Sequence, residues 1–139
     1  MKVREAMHSG VEWVTPDTSI KQVAEKMKKL DIGAIPVGQS DQLVGMVTDR
    51  DIVCKGLARD GFDARHTTAG DVMTQGIHCC REDDDLEAAV KHMEQMQVRR
   101  LPVINGQKRM VGMLSLGDIG QSANSGPVSE FVRSVSAHH

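Results

Sequence analysis

A long internal repeat constrains the fold of this chain more than any other feature. Met7 recurs 66 positions later as Met73, within the same local pattern. The other pairs at this spacing are Gly10 and Gly76, Ile20 and Leu86, Val23 and Ala89, Ala24 and Val90, Met27 and Met93, Leu30 and Met96, Pro36 and Pro102, and Val37 and Val103. Self-similarity at a fixed spacing marks copies of one supersecondary unit. Residues 3–57 and 69–121 are therefore two copies of one unit, and we expect them to be related by a pseudo-two-fold axis.

Each copy ends in the same eight-residue pattern. Gly45–Ile52 and Gly112–Ile119 both read Gly, two apolar residues, a hydroxyl residue, two spacers, Asp and Ile. An apolar run that stops at a hydroxyl residue predicts a strand, a turn and the start of a helix. Thr48-x-x-Asp51 and Ser115-x-x-Asp118 also fit plain helix N-caps, and a capping role is compatible with a binding role.

The periodicity within one copy predicts a β-α-β-β-α unit. The segments of the first copy are a strand over Val11–Val14, a turn over Pro16–Ser19, an amphipathic helix from Ile20 to Leu30, strands over Ile32–Val37 and Leu43–Val47, and a helix over Asp51–Leu57. A half of about 55 residues is marginal as an isolated fold. We therefore predict an α/β (α+β) protein in which two pseudo-symmetric repeats pack through their sheets.

The domain boundaries follow from the repeat. We assign residues 1–58 to the first repeat, 59–68 to a linker, 69–121 to the second repeat and 122–139 to a tail. In the tail, Pro127 suits a first helical turn, and a short amphipathic helix is predicted. Its apolar face comprises Val128, Phe131, Val132 and Val135. The terminal pair His138 and His139 resembles a tag and is set aside from site reasoning.

Composition excludes several classes of function. A net charge of −2 gives no reason to expect a polyanionic partner, and 2% aromatic residues disfavour binding of single-stranded nucleic acid. The N-terminus lacks the apolar segment of a signal peptide, and no apolar run reaches the ~20 residues of a membrane span. We therefore expect a cytoplasmic protein with reduced thiols. No nucleophile elbow, phosphate-binding glycine loop or metalloprotease helix is present, so we expect no enzyme activity.

The doubled unit, its Ile-Pro-Val or Leu-Pro-Val strand and its Gly-x-x-(Ser/Thr)-x-x-Asp ending resemble a tandem pair of CBS domains. Such pairs are the regulatory modules of IMP dehydrogenase, chloride channels, magnesium transporters and the gamma subunit of AMP-activated kinase. The chain is especially similar to short bacterial proteins that consist of one pair, and the resemblance covers residues 3–121. It implies a sensor of adenosine compounds, namely AMP, ADP, ATP, S-adenosylmethionine or NAD(H), with no required cofactor.

The resemblance also implies two clefts, each combining early strands of one repeat with the hydroxyl-x-x-Asp turn of the other. One site would comprise Val11, Glu12, Ile32, Gly33, Ala34, Met113, Ser115 and Asp118. The other would comprise Ile77, His78, Val98, Arg99, Met46, Thr48, Arg50 and Asp51. Pro36 and Pro102 would line the adenine slots, and Arg100 would join Arg50 and Arg99 at the second site. An aspartate can accept hydrogen bonds from both ribose hydroxyls, and a turn that opens a helix favours phosphate.

The two copies differ in their arginines. Arg50 stands where the second turn has Gly117, and Arg99-Arg100 stands where the first copy has Gly33-Ala34. Arginine binds phosphate oxygens with two donors. We therefore predict that the site with Arg50 and Arg99 prefers the more phosphorylated ligand. Neighbouring strand residues point to opposite faces, so at least one of Arg99 and Arg100 is an ordinary solvated charge.

Two other functions stay open. His78, Cys79 and Cys80 could serve a metal- or redox-responsive protein, but strand alternation separates the two thiols, and buried, inert cysteines are the better interpretation. The other alternative is a scaffolding dimer with empty clefts. In the leading hypothesis the module is a homodimer whose ligand-induced change is read by a protein partner.

Overall fold

The structure, a computed structural model, describes residues 1–75 and 78–122. The expected tail helix around Phe131 and the predicted site residue Ile77 lie outside this range. The chain divides into two compact units. Among the described residues, one unit comprises residues 12–75, and the other combines Met1–Val11 with residues 78–122. None of the described helices combines the length and the apolar character of a membrane span.

Helices and strands are mixed along the chain, which confirms the predicted mixed α/β class. In order, the elements are α1 (Val3–Ala6), β1 (His8–Ser9), α2 (Ile20–Leu30), β2 (Ala34–Gln39), β3 (Gln42–Thr48), α3 (Asp49–Asp51, continued by a π-helical segment, Ile52–Leu57), α4 (Ala69–Val72), β4 (Cys80–Arg81), α5 (Leu86–Met96), β5 (Arg100–Ile104), β6 (Met110–Ser115) and α6 (Leu116–Ser122).

The strand predicted over Val11–Val14 is wrong for most of its length. Only Val14 makes a bridge, parallel to Val37. Its N–H donates to the Pro36 carbonyl at 3.1 Å, and its carbonyl accepts from the Gly38 N–H at 2.8 Å. Alternation of apolar side chains indicated an extended segment here, but pairing needs a partner edge, and β2 offers one only at Val14.

In the unit Glu12–Ile77, α2 packs its apolar face on the hairpin of β2 and β3. Ser19 caps α2, since its Oγ accepts from the Gln22 N–H at 3.2 Å. Asp31 ends it with φ of 54°, a left-handed conformation typical of helix ends. The hairpin turns through Ser40 and Asp41, with φ of 51° and 67°; two successive positive values fit the twist of a tight hairpin. The core residues are Val14, Ile20, Val23, Met27, Ile35, Val37, Val47, Ala69 and Val72.

The segment 59–68, expected to be a linker, is bound to this same unit. The Ile20 N–H donates to the Thr67 carbonyl at 2.9 Å, and the Lys21 N–H donates to the Ala64 carbonyl at 3.0 Å. Thr67 is buried, and Phe62 packs on the core. A polar sequence without apolar period gave no sign of these backbone bonds, because they use main-chain groups that every residue carries.

The other unit contains a four-stranded sheet in the order β1-β6-β5-β4. β1 and β5 both pair antiparallel with β6, and β4 pairs parallel with β5. α1 and α5 supply apolar residues at helical spacing. The core residues are Val3, Ala6, Cys80, Leu86, Ala89, Val90, Met93, Leu101, Val103, Leu114 and Ile119.

The compact units therefore do not coincide with the sequence repeats. α1, which opens the first repeat, belongs to the unit of the second repeat, and α4, which opens the second, belongs to the unit of the first. The matched residues Val3 and Ala69 are both fully buried in these positions. Each repeat thus buries its opening apolar residues on the other repeat's body.

Candidate functional site

The two repeated turns have the same hydrogen-bonded structure. In the first, the Thr48 N–H donates to Asp51 Oδ2 at 3.0 Å, and the Asp51 N–H donates to Thr48 Oγ1 at 3.1 Å. In the second, the Ser115 N–H donates to Asp118 Oδ2 at 3.1 Å, and the Asp118 N–H donates to Ser115 Oγ at 3.1 Å. These are reciprocal helix caps. The capping interpretation is correct, and the cap holds each aspartate in a defined orientation.

A third turn shows that the cap alone does not mark a ligand site. Thr68 and Asp71 have the same spacing at the start of α4, where the Thr68 N–H donates to Asp71 Oδ2 at 2.9 Å and the Asp71 N–H donates to the Thr68 backbone carbonyl at 3.0 Å. The hydrogen bonds from Thr68 hold the pKa of Asp71 below its ordinary value. Only the turns ending β3 and β6 belong to the repeated eight-residue pattern.

Each turn is joined to the strand that was predicted to form the adenine slot. In the first unit the Asp49 N–H donates to the Gly33 carbonyl at 2.9 Å, and in the second the Leu116 N–H donates to the Arg99 carbonyl at 2.9 Å. A Cβ on Gly33 would lie 3.0 Å from Asp49 Oδ2. The exposed Asp49 side chain can move away from such a Cβ, and the second copy makes the same bond with Arg99 in this place.

The hairpin registers place further predicted residues opposite one another. Their cross-strand pairs are Ala34 with Thr48, Pro36 with Met46, Arg100 with Ser115, and Pro102 with Met113. The two prolines are buried, and the two methionines and Ala34 are half-buried. Slot and turn residues thus lie side by side within each unit.

The predicted residues divide between the two units. Glu12, Ile32, Gly33, Ala34, Pro36, Met46, Thr48, Arg50 and Asp51 lie in one, and Val11, His78, Val98, Arg99, Arg100, Pro102, Met113, Ser115 and Asp118 lie in the other. The three arginines are exposed. Glu12 Oε2 forms an ion pair with Lys26 Nζ at 3.1 Å. The two composite sites that the resemblance implies remain predictions.

Sequence reasoning missed Lys55. Its Nζ lies 3.2 Å from Asp51 Oδ1 and 3.2 Å from Thr74 Oγ1, to which it donates. The signal was present, because a lysine four residues after an acid on a helix is a favourable pair. No such cation pairs with Asp118 in the described chain.

The metal-responsive alternative with His78, Cys79 and Cys80 stays a prediction. Within residues 1–75 and 78–122 no three His, Cys, Asp or Glu side chains are placed to hold a metal ion. Cys80 is buried, Cys79 is half-buried and Cys54 is exposed. A histidine pair was missed instead. The rings of His78 and His92 lie 5.8 Å apart between centroids, and the buried His92 Nε2 has no hydrogen-bond partner in the described residues.

The three thiols differ in burial, and this difference predicts the order in which they react with a thiol reagent. Burial raises the pKa of the Cys80 thiol to about 12 and also raises the pKa of Cys79. Because the thiolate is the nucleophile, we expect Cys54 to react first with dithiodipyridine at neutral pH, Cys79 more slowly, and Cys80 only in urea. Mass spectrometry of alkylated peptides identifies the order. Rapid labelling of Cys80 in the native protein would contradict it.

The raised pKa of Cys80 also makes the stability of the folded protein depend on pH. Above a pH of about 9 the thiol ionises in the unfolded chain but not in the folded one. The unfolded state then binds fewer protons, so the stability that this group maintains below that pH is lost as pH rises towards 12. Cys80→Ala, compared by urea unfolding, should show a smaller loss over this range.

Comparison with known proteins agrees with this architecture. The CBS domain family model matches residues 3–55 and 69–120. Hypoxic response protein 1 of Mycobacterium tuberculosis is 37% identical over 133 residues, covering 95% of this chain and 92% of that protein. A crystal structure of Hypoxic Response Protein I with two coordinated zinc ions has a TM-score of 0.81 at 38% identity, covering 89% of this chain and 100% of the other.

A second solved structure, CBSX2 from Arabidopsis thaliana in complex with AMP, has a TM-score of 0.76 at 25% identity. The match covers 87% of this chain and 94% of that chain. The similarity extends over both repeats in each case. The chain belongs to the CBS domain family, as a pair of CBS repeats.

Proposed function

We propose that this protein is a stand-alone regulatory module that binds adenosine-containing ligands at its two repeated turns and has no catalytic activity of its own. One observation carries the proposal. Asp118 Oδ2 is fixed by the Ser115 N–H, while Oδ1 has no partner in the described chain. A fixed carboxylate with an open oxygen is a pre-oriented acceptor for a ribose hydroxyl.

The neighbouring groups suit the rest of a nucleotide. Thr48 Oγ1 and Ser115 Oγ each accept one backbone N–H at 3.1 Å, so their hydroxyl hydrogens are available for a phosphate oxygen. The apolar strand residues beside each turn suit an adenine ring. Support from relatives comes from CBSX2, which is similar over most of this chain and was solved with AMP.

The two turns differ in their preference for phosphate in this proposal. Arg50 follows Thr48 by two positions, and Gly117 occupies the same place in the other turn. Guanidinium donates to two phosphate oxygens at once. ADP or ATP is therefore the proposed ligand of the Thr48 turn, with Arg99 as a further cation. AMP or NAD(H) is the proposed ligand of the Ser115 turn.

The active form is proposed to be a homodimer. A protein partner would detect the conformational change that the ligand induces.

A thermal-shift panel tests the proposal. Wild-type protein is melted with AMP, ADP, ATP, NADH and S-adenosylmethionine, with GTP and inorganic phosphate as controls for base and phosphate. A ligand at about 100 times its Kd stabilises the folded state by ~2.7 kcal/mol, which is several degrees in Tm. We expect this shift with at least one adenine ligand and a smaller shift with GTP. Equal Tm with every compound would reject nucleotide sensing and favour a scaffolding dimer.

A divalent metal ion is the second candidate ligand. The observation that favours it is the pair of His78 and His92, whose rings lie 5.8 Å apart. Two imidazole nitrogens at about 2.1 Å from one ion place the ring centres at about this distance. Adding zinc chloride to the panel tests this candidate. A shift that disappears in His92→Asn supports it, and an unchanged Tm rejects it.

A further inference from the structure

Both oxygens of the Asp51 carboxylate are occupied within its own unit. Oδ2 accepts from the Thr48 N–H at 3.0 Å, and Oδ1 lies 3.2 Å from Lys55 Nζ. Lys55 is held in place by a second bond, since Nζ donates to Thr74 Oγ1 at 3.2 Å. The Asp51 side chain is 11% exposed and that of Lys55 is 49% exposed. The carboxylate is thus enclosed, while the ammonium that covers it reaches solvent.

The second repeat lacks this arrangement although its turn has the same backbone bonds. Lys55 lies four residues after Asp51, and the residue four positions after Asp118 is Ser122, which carries no charge. Asp118 is bound only by Ser115 in the described chain. The two aspartates therefore have the same cap but a different charge environment.

The other charges at the Asp51 turn do not cancel this difference. Asp49 is the nearest acid in sequence, and its Oδ1 accepts from the Arg50 N–H at 2.8 Å. Arg50 is exposed and makes no ion pair in the described residues. The turn thus has two solvent-accessible cations, Arg50 and Lys55. The second of them forms an ion pair with the Asp51 carboxylate.

A neutral nucleoside and a nucleotide meet this turn differently. To use Asp51 Oδ1, a ribose hydroxyl must displace Lys55, and a neutral ligand offers the released ammonium no new anion. A phosphate chain offers one, so the ammonium moves from one anion to another. The ammonium can make this move because the Lys55 side chain is 49% exposed and reaches solvent.

We infer that Lys55 is the specificity-determining residue of the Asp51 turn. It lowers the affinity of this turn for neutral nucleosides and raises the affinity for phosphorylated ones. Asp118, without such a lysine, accepts neutral and charged adenosine compounds alike. This inference rests on the proposed function, because it requires that the turns bind adenosine ligands. It adds a discriminating residue that lies outside the repeated eight-residue pattern.

Calorimetric titration of the full chain with adenosine, AMP and ATP tests the inference. Asp118→Asn keeps the cap and weakens the other turn by about 30- to 100-fold, so the tighter binding event reports the Asp51 turn. In this background Lys55→Met should reduce the affinity for ATP by about tenfold and raise the affinity for adenosine severalfold. Lys55→Arg keeps the charge and should preserve the preference of Asp118→Asn for ATP.

Lys21→Met is the matched control in the same background. Lys21 Nζ also pairs with an acid on its own helix, Glu25 Oε1 at 3.8 Å, so this variant removes the same charge elsewhere. It should leave the ratio of ATP to adenosine affinity unchanged. If Lys55→Met leaves that ratio within twofold of its parent, the role of Lys55 is overturned while nucleotide binding stands. If the wild-type protein binds none of the three ligands, the proposed function fails and this inference fails with it.

Discussion

Replacing Gly112 with alanine is expected to lower the free energy of unfolding by about 2–3 kcal/mol, the cost of overpacking a tight site. A Cβ at this position would lie 2.5 Å from the His8 carbonyl oxygen and 3.0 Å from Met7 Sδ. The backbone oxygen cannot rotate away from the added Cβ, so β1 must move away from β6. Urea unfolding followed by circular dichroism measures the change.

Alanine substitutions at two other glycines provide the comparison for this result. A Cβ at the matched residue Gly45 would lie 2.7 Å from Met73 Sδ and 3.0 Å from the Thr74 carbonyl oxygen. The methionine can move, so Gly45→Ala should cost less, about 1–2 kcal/mol. Gly106 has nothing within 4 Å of an added Cβ, and Gly106→Ala should stay within about 0.5 kcal/mol of wild type. A Gly112→Ala protein as stable as Gly106→Ala would show that β1 does not hold this position.

Replacing Asp118 with asparagine is expected to weaken the binding of AMP, a ligand proposed for the Ser115 turn, by about 30- to 100-fold. A charged acceptor contributes about 1.5–3 kcal/mol per hydrogen bond, and the amide loses the charge and one acceptor oxygen. The asparagine oxygen can still accept the Ser115 N–H, so stability should change little. Asp118→Ala should lose the ligand and also about 1 kcal/mol of stability, because the cap is removed. Calorimetry measures the first effect, and urea unfolding measures the second.

Asp71→Asn is the control for this experiment. Asp71 accepts from the Thr68 N–H at 2.9 Å, as Asp118 does from Ser115, but lies outside the repeated pattern. Its substitution should leave ligand affinity unchanged. Equal affinities for wild type and Asp118→Asn would remove Asp118 from the site. Equal losses in Asp118→Asn and Asp71→Asn would indicate that a general change of charge, rather than a contact, affects binding.

Most of the secondary structure followed from local pattern. The 66-residue spacing and helical periodicity gave both long helices, the strand pairs and the two caps at Asp51 and Asp118. These features depend on residues that are near one another in sequence, where side-chain period and capping chemistry act directly. The missed features are Lys55 and the pair of His78 and His92. Lys55 was open to sequence reasoning as an acid-lysine pair on one helix.

The sequence by itself determined the doubled unit, the family and the residue types at the two turns, because repeats and caps are local. Tertiary structure decided which segments share a core. α1 and α4 each leave their own repeat, and residues 59–68 bind the start of α2 through main-chain groups. Tertiary structure also decided that Thr74 completes the Lys55 contact and that β2 offers Val14 a single bridge. Burial and backbone pairing depend on which surfaces meet, and no local pattern encodes that choice.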